Sequence, residues 1–128
     1  MTPIQIRIAC AELAGYMEGT WGAPGMRQWI ITGTEQSGIP LVYRNQPLYY
    51  YELPPFEESL NLLRWLELRI INTPELVNQI EATTWEVLEA SREDAMATLF
   101  DACNMTALQK AEILLRVLGI WDTYGGLD

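Results

Sequence analysis

The chain has 128 residues, of which 49% are hydrophobic and 20% are charged, and its formal net charge is −9. This size and composition predict one globular domain with its own hydrophobic core, and the acidic charge disfavours direct binding to nucleic acid. No apolar run approaches the roughly 18 residues of a membrane helix, and the first residues lack the pattern of a signal peptide, so we expect a cytoplasmic protein without membrane association.

The N-terminal residues carry the pattern of an amphipathic helix. Thr2 and Gln5 form a capping box, and Pro3 suits the first helical position. We expect Gly19 to end this helix. Apolar residues recur on one face at helical spacing: Ile6, Ala9, Cys10, Leu13, Tyr16 and Met17.

A loop rich in glycine and proline is predicted over residues 18–26. Its glycines lack the spacing and the Lys-Ser/Thr pair of a phosphate-binding loop. The loop carries Trp21, which either folds back onto the core or contacts a ligand or partner protein, since aromatic residues often anchor recognition.

Three short segments separated by turn-forming residues predict an antiparallel meander: Gln28–Thr32, Leu41–Arg44 and Leu48–Leu53. Alternation along the third strand places Tyr49 and Tyr51 on one face and Tyr50 on the other. Two interpretations remain open. The rings either pack against helices with their hydroxyls in solvent, or they form a stacking surface for a base or nucleotide beside an arginine such as Arg44.

The rest of the chain is predicted to be mostly helical. Pro54 and Pro55 end the third strand and begin a helix, Thr73 and Pro74 separate it from the next one, and Ser91–Asp94 caps a further helix over Ala95–Cys103. The first of these helices has a predicted buried face formed by Phe56, Leu60, Leu63 and Ile70.

The last helix has the best-defined ends. Thr106 and Gln109 form a capping box, and Gly119 is a suitable C-terminal stop. Leu108, Ala111, Leu115 and Leu118 recur at helical spacing. All segments together predict a single α+β domain over residues 1–128, in which helices cover a small antiparallel sheet.

Three stretches resemble the phage ABA sandwich domain family, a group of small phage proteins of unsettled function. Residues 106–121 contain its Gln-Lys-Ala-Glu core and its Leu-Gly-x-Trp ending, and residues 7–16 contain its Ala-Glu-x-x-Gly-aromatic pattern. Residues 53–61 are similar to a Leu-Pro-Asp-aromatic motif, although Pro55 stands where the family has aspartate. The resemblance implies an α-β-α sandwich-like fold and a phage or prophage origin.

The residue types disfavour catalysis. The chain contains no histidine, which excludes Ser-His-Asp and Cys-His catalysis and histidine-containing metal sites. Cys10 and Cys103 cannot form a structural zinc site alone, and we expect both to be buried small hydrophobic residues. Two pairs of acids, Glu57/Glu58 and Asp94/Asp101, are candidate carboxylate ligands by residue type only, and we expect them to be solvated surface acids. We therefore predict a protein that is not an enzyme and has no metal site and no cofactor.

Two functional hypotheses follow. The first is a non-catalytic phage or prophage accessory protein that binds and inhibits a host factor, such as a defence protein, in the host cytoplasm. The second is a small-molecule binder, or sponge, that sequesters a nucleotide signal as a homo-oligomer. Under either hypothesis the candidate ligand- or partner-binding residues are Trp21, Arg44, Tyr49 and Tyr51.

Overall fold

The computed structural model describes residues 1–19, 27–31, 47–90 and 99–121. In these ranges the chain forms α1 (Pro3–Leu13), β1 (Met17–Gly19), β2 (Gln28–Ile30), α2 (Leu60–Ile70), α3 (Pro74–Ala90), α4 (Leu99–Cys103) and α5 (Ala107–Val117). Two 3-10 turns, Tyr50–Glu52 and Phe56–Glu58, lie between β2 and α2. The molecule is therefore mostly helical with a small antiparallel sheet, which confirms the α+β class.

The N-terminal ends of α1 and α5 are closed by the predicted capping boxes. At α1, the Thr2 hydroxyl accepts from the Gln5 N–H at 3.2 Å, and the Gln5 side chain accepts from the Thr2 N–H at 2.8 Å. Thr106 and Gln109 make the same pair of bonds at 3.1 and 2.9 Å. Each box satisfies two backbone donors that have no partner inside the helix.

The C-terminal ends of α1 and α5 share a glycine-based stop. Gly15 and Gly119 have positive φ angles of 111° and 75°. The next residues reach back to the helix, because the Tyr16 N–H donates to Ala11 O at 3.0 Å and the Ile120 N–H donates to Leu115 O at 2.9 Å. This is the Schellman arrangement.

The stop at Gly15 shows that the predicted end of the first helix at Gly19 was wrong. Because α1 ends at Leu13, the chain turns before Met17, and residues 17–19 become available for strand pairing. They form β1, which pairs antiparallel with β2 in the register Met17↔Ile30, Glu18↔Trp29 and Gly19↔Gln28. The sequence pattern had assigned residues 18 and 19 to a loop.

The predicted third strand over Leu48–Leu53 was also wrong. Leu48 makes one antiparallel bridge with Trp29, and the backbone then turns into the 3-10 conformation at Tyr50. The Glu52 carboxylate accepts the Tyr49 N–H at 3.0 Å, and the Glu52 N–H donates to Tyr49 O at 2.9 Å. These local bonds close a turn in place of strand pairing. The predicted strand Leu41–Arg44 lies outside the described residues.

The buried face of α2 also differs from the prediction. The chain forms a 3-10 turn at Phe56 and enters the α-helix only after Ser59, whose hydroxyl accepts from the Leu62 N–H at 3.3 Å. This start rotates Leu60 outward, Ile70 is half-buried, and the buried residues of α2 are Leu62, Leu63 and Leu66. The predicted burial of Phe56 and Leu63 is confirmed. The helix break at Thr73–Pro74 is confirmed. The capping pattern Ser91–Asp94 lies outside the described residues.

The core forms around α5, which packs against α1, α2 and α3. Its buried side chains pack against those of the second 3-10 turn and α2. Cys10 is buried as expected, whereas Cys103 is exposed, because it lies in the last turn of the short helix α4. The central buried residues are Ile6, Cys10, Trp29, Leu48, Phe56, Leu63, Leu66, Ala111, Leu114 and Leu115.

Within the described ranges, no helix has both the length and the hydropathy needed to cross a membrane.

Candidate functional site

Three consecutive tyrosines form one aromatic surface at the first 3-10 turn. The Tyr49 and Tyr51 rings are stacked, with centroids 5.6 Å apart and an interplanar angle of 13°. Tyr50 contacts Tyr51 edge to face, with centroids 5.4 Å apart and an angle of 87°. We call Tyr49, Tyr50 and Tyr51 the tyrosine cluster. The proximity of Tyr49 and Tyr51 agrees with the sequence prediction, although a turn produces it and not a strand.

Two of these rings are open to solvent. Tyr51 is 62% exposed and Tyr50 is 44% exposed, whereas Tyr49 is half-buried. A tyrosine can bury a large apolar ring in an interface while its hydroxyl stays at the solvent-exposed edge of that interface. The cluster therefore offers apolar area and hydrogen-bonding groups on the same surface.

A buried ion pair holds the backbone of the cluster against α1. The Arg7 Nε donates to both carboxylate oxygens of Glu57, at 2.8 and 3.0 Å, and the Arg7 Nη2 also donates to Glu57 Oε1. The Arg7 Nη1 donates to the main-chain oxygen of Tyr51 at 3.4 Å. One guanidinium thus joins α1, the cluster and the second 3-10 turn.

The electrostatics of this anchor keep the arginine charged. The hydrogen bonds with Glu57 raise the pKa of Arg7 above its usual value and outweigh the opposing effect of burial. The Glu57 side chain is only 6% exposed. A paired and hydrogen-bonded charge is the form in which a buried carboxylate is tolerated.

The sequence-predicted site residues are only partly brought together. Tyr49 and Tyr51 lie in contact, while Trp21 and Arg44 lie outside the described residues. Sequence reasoning missed Tyr50 as part of the surface and Arg7 as its anchor. The expectation that Glu57 is a solvated surface acid was wrong, because its carboxylate is buried against the guanidinium of Arg7. Arg7 and Glu57 are 50 positions apart, so no local spacing pattern could indicate that they pair. The two prolines before Phe56 and Glu57 do indicate that Glu57 lies in a constrained turn.

Three cavities of the described part of the chain are lined by residues outside the tyrosine cluster. Their volumes are about 330, 220 and 200 Å³. The largest lies between the N-terminal parts of α1 and α5. The lining of the smallest includes Arg64, Glu67 and Lys110, and the last two form an ion pair at 3.0 Å.

The described ranges contain no group of three or more Cys, Asp or Glu side chains placed to hold a metal ion. No protein-family model, curated protein or solved structure matches the chain. The similarity to the phage ABA sandwich domain family therefore stays a prediction from the three sequence stretches.

Proposed function

We propose that this chain is a non-catalytic accessory protein of phage or prophage origin that inhibits a host protein by binding to its surface through the tyrosine cluster. The observation that carries this proposal is the exposure of Tyr50 and Tyr51 on a turn anchored by the Arg7–Glu57 pair. Tyrosine is enriched among residues that dominate binding energy at protein interfaces.

The anchor supports the proposal because it reduces the entropy lost on binding. The cluster lies on a short turn whose backbone is tied to α1 by Arg7 and closed locally by Glu52. A side chain held close to its bound conformation loses less freedom when a complex forms. The net charge of −9 further favours a partner with a basic rim around its contact surface.

The proposal is tested by capture of a host protein that depends on the cluster. Immobilised wild-type chain and the Tyr50→Ala/Tyr51→Ala variant are incubated with lysates of bacterial hosts. The matched control is Leu68→Ala/Val77→Ala, which removes two exposed apolar side chains from α2 and α3. Hot-spot residues each contribute about 2 kcal/mol or more, so the tyrosine variant is expected to lose the partner and the control variant to retain it.

Inhibition is then measured on the captured protein. Its activity is expected to fall with added wild-type chain and to remain unchanged with the tyrosine variant. Equal capture by all three chains, or a captured protein whose activity does not respond, would contradict the proposed role.

The nucleotide-sponge hypothesis has a separate test. Arg7 contacts the cluster but already donates to Glu57, so it offers little to a phosphate group. Native mass spectrometry of the protein purified from bacterial cells, followed by denaturation, distinguishes the two functions. A released nucleotide-sized mass from a homo-oligomer would favour the sponge, and an unliganded mass would favour the surface inhibitor.

A further inference from the structure

The exposed rings of the tyrosine cluster have a chemistry that favours a cation. Tyr51 is stacked on Tyr49 and contacts Tyr50 edge to face, yet it remains 62% exposed. The faces of an aromatic ring carry partial negative charge and attract ammonium and guanidinium groups. A cation from a partner protein therefore suits the ring surface that the fold leaves open.

The tryptophans of the chain show what such a contact looks like in this protein. The guanidinium carbons of Arg27, Arg69 and Arg116 lie 4.9, 4.7 and 5.4 Å from the ring centroids of Trp29, Trp65 and Trp121. Within the described ranges, no arginine or lysine lies over a ring of the tyrosine cluster. The cluster thus differs from these three tryptophans, because its exposed rings have no cation from the chain itself.

Two carboxylates beside the cluster have no countercharge. Arg7 and Glu57 form an ion pair and balance one another. The Glu52 carboxylate lies at the start of the cluster, where it accepts the Tyr49 N–H at 3.0 Å. After the hydrogen bonds with Glu57, the nearby charge of Glu58 also raises the pKa of Arg7, which places Glu58 close to this anchor. Neither Glu52 nor Glu58 forms an ion pair with any residue that the structure describes.

Other cations of the described ranges do not balance these two carboxylates. Arg27 is paired with Glu18. Arg64 and Lys110 line the cavity of about 200 Å³. Met1, which carries the N-terminal ammonium, lines the cavity of about 330 Å³ between α1 and α5. The surface around the tyrosine cluster therefore combines open aromatic rings with negative charge.

We propose that the host protein presents an arginine side chain to the tyrosine cluster, an inference that rests on the proposed function. The guanidinium lies against the exposed rings of Tyr50 and Tyr51, and Glu52 and Glu58 balance its charge. A planar guanidinium stacks on aromatic rings and is more weakly hydrated than an ammonium group. Arginine therefore fits this surface better than lysine does.

The test uses two tripeptides of equal charge, tri-arginine and tri-lysine, each acetylated and amidated at its ends. General attraction to an acidic protein is the same for both, so a difference between them measures the guanidinium contact. Binding to the wild-type chain is followed by NMR of the tyrosine ring signals, assigned from Tyr50→Phe and Tyr51→Phe, at about 0.15 M salt. Tri-arginine is expected to shift both ring signals in a saturable manner and to bind at least about threefold more tightly than tri-lysine.

Variants separate the contribution of the rings from that of the charges. Tyr51→Ala is expected to weaken tri-arginine binding about fivefold, whereas Tyr51→Phe keeps the ring and should stay within about twofold of the wild type. Glu52→Gln keeps an acceptor for the Tyr49 N–H but removes the charge, so it should weaken both peptides about threefold. Glu75→Gln removes the same charge from the exposed first turn of α3 and should leave the binding of both peptides unchanged.

Three results would overturn the arginine contact. Tri-arginine would not shift the ring signals saturably, tri-lysine would bind as tightly as tri-arginine, or Glu75→Gln would weaken binding as much as Glu52→Gln. Wild-type affinity of Tyr51→Ala for tri-arginine would likewise place the binding elsewhere. Circular dichroism of each variant verifies that the fold is retained.

The peptide experiment and the host capture can fail separately. A host protein captured through the tyrosine cluster, together with no binding of tri-arginine, would refute the arginine contact and leave the inhibitor function in place. Binding of tri-arginine at the cluster, together with no captured host protein, would support recognition of arginine and contradict the inhibitor function.

Discussion

Replacing Glu57 with alanine gives the sharpest test of how the fold supports the tyrosine cluster. The change removes the acceptor of the Arg7 Nε and Nη2 donors and leaves a guanidinium that is only 17% exposed without its hydrogen-bonded carboxylate. Breaking a buried ion pair by removing one partner costs about 3–5 kcal/mol. That is a large part of the roughly 5–15 kcal/mol by which domains are stable.

The chain contains a matched control for this perturbation. Arg27 and Glu18 also form a bidentate arginine–carboxylate pair, with bonds of 2.6 and 3.1 Å, but their side chains are 60% and 40% exposed. Exposed pairs contribute about 0–1 kcal/mol. Glu18→Ala should therefore change stability little, although it has the same chemistry as Glu57→Ala.

The assay is urea unfolding followed by far-UV circular dichroism for the wild type and both variants. A third variant, Arg7→Leu/Glu57→Leu, should recover much of the loss, because an apolar pair leaves no buried charge unpaired. If Glu57→Ala and Glu18→Ala cost the same amount, the buried pair is not the anchor described here.

Three further predictions concern the core, a helix cap and the cysteines. Leu114→Ala should cost about 2–5 kcal/mol in urea unfolding, whereas Leu68→Ala at a 71% exposed position should stay within about 0.5 kcal/mol; similar losses would contradict the assigned core. Thr106→Ala removes one half of the α5 capping box and should cost about 1 kcal/mol, with Thr106→Ser as the control that restores stability. Burial raises the pKa of the Cys10 thiol to about 12, so a thiol reagent at about pH 8 should modify exposed Cys103 in the folded protein and Cys10 only after unfolding. Because the folded-state pKa of Cys10 is raised, the stabilisation from its neutral thiol is fully present below about pH 9 and is lost as the pH rises toward about 12. Alkaline unfolding of the wild type and of Cys10→Ala would measure this loss.

The local ends of the helices were predictable because they depend on residues three or four positions apart. The capping boxes at Thr2 and Thr106 and the stop at Gly119 were read from spacing alone, and all three are confirmed. The early stop at Gly15 used the same chemistry. The prediction placed the end of the helix at Gly19 instead, because apolar residues continue at helical spacing through Tyr16 and Met17 and so resemble a longer helix.

The tyrosine turn shows where spacing fails. Aromatic residues at 49–51 favour a strand, but a strand needs a partner along its length, and Leu48 alone bridges to β2. The hydrogen bond between Glu52 and the Tyr49 N–H then closes the chain into a turn. Strand pairing depends on which segments the tertiary fold brings together. Sequence propensity alone could therefore not decide between a strand and a 3-10 turn.

The amino-acid sequence predicted the α+β class, the start of α1, both ends of α5 and the absence of histidine chemistry, because these depend on composition and on neighbouring residues. Packing decided which surfaces could serve a function. The Arg7–Glu57 pair joins residues 50 positions apart, and the cavity of about 330 Å³ between α1 and α5 brings Met1 near Trp121. Contacts of this kind follow from how the helices pack around α5, and no local pattern contains that information.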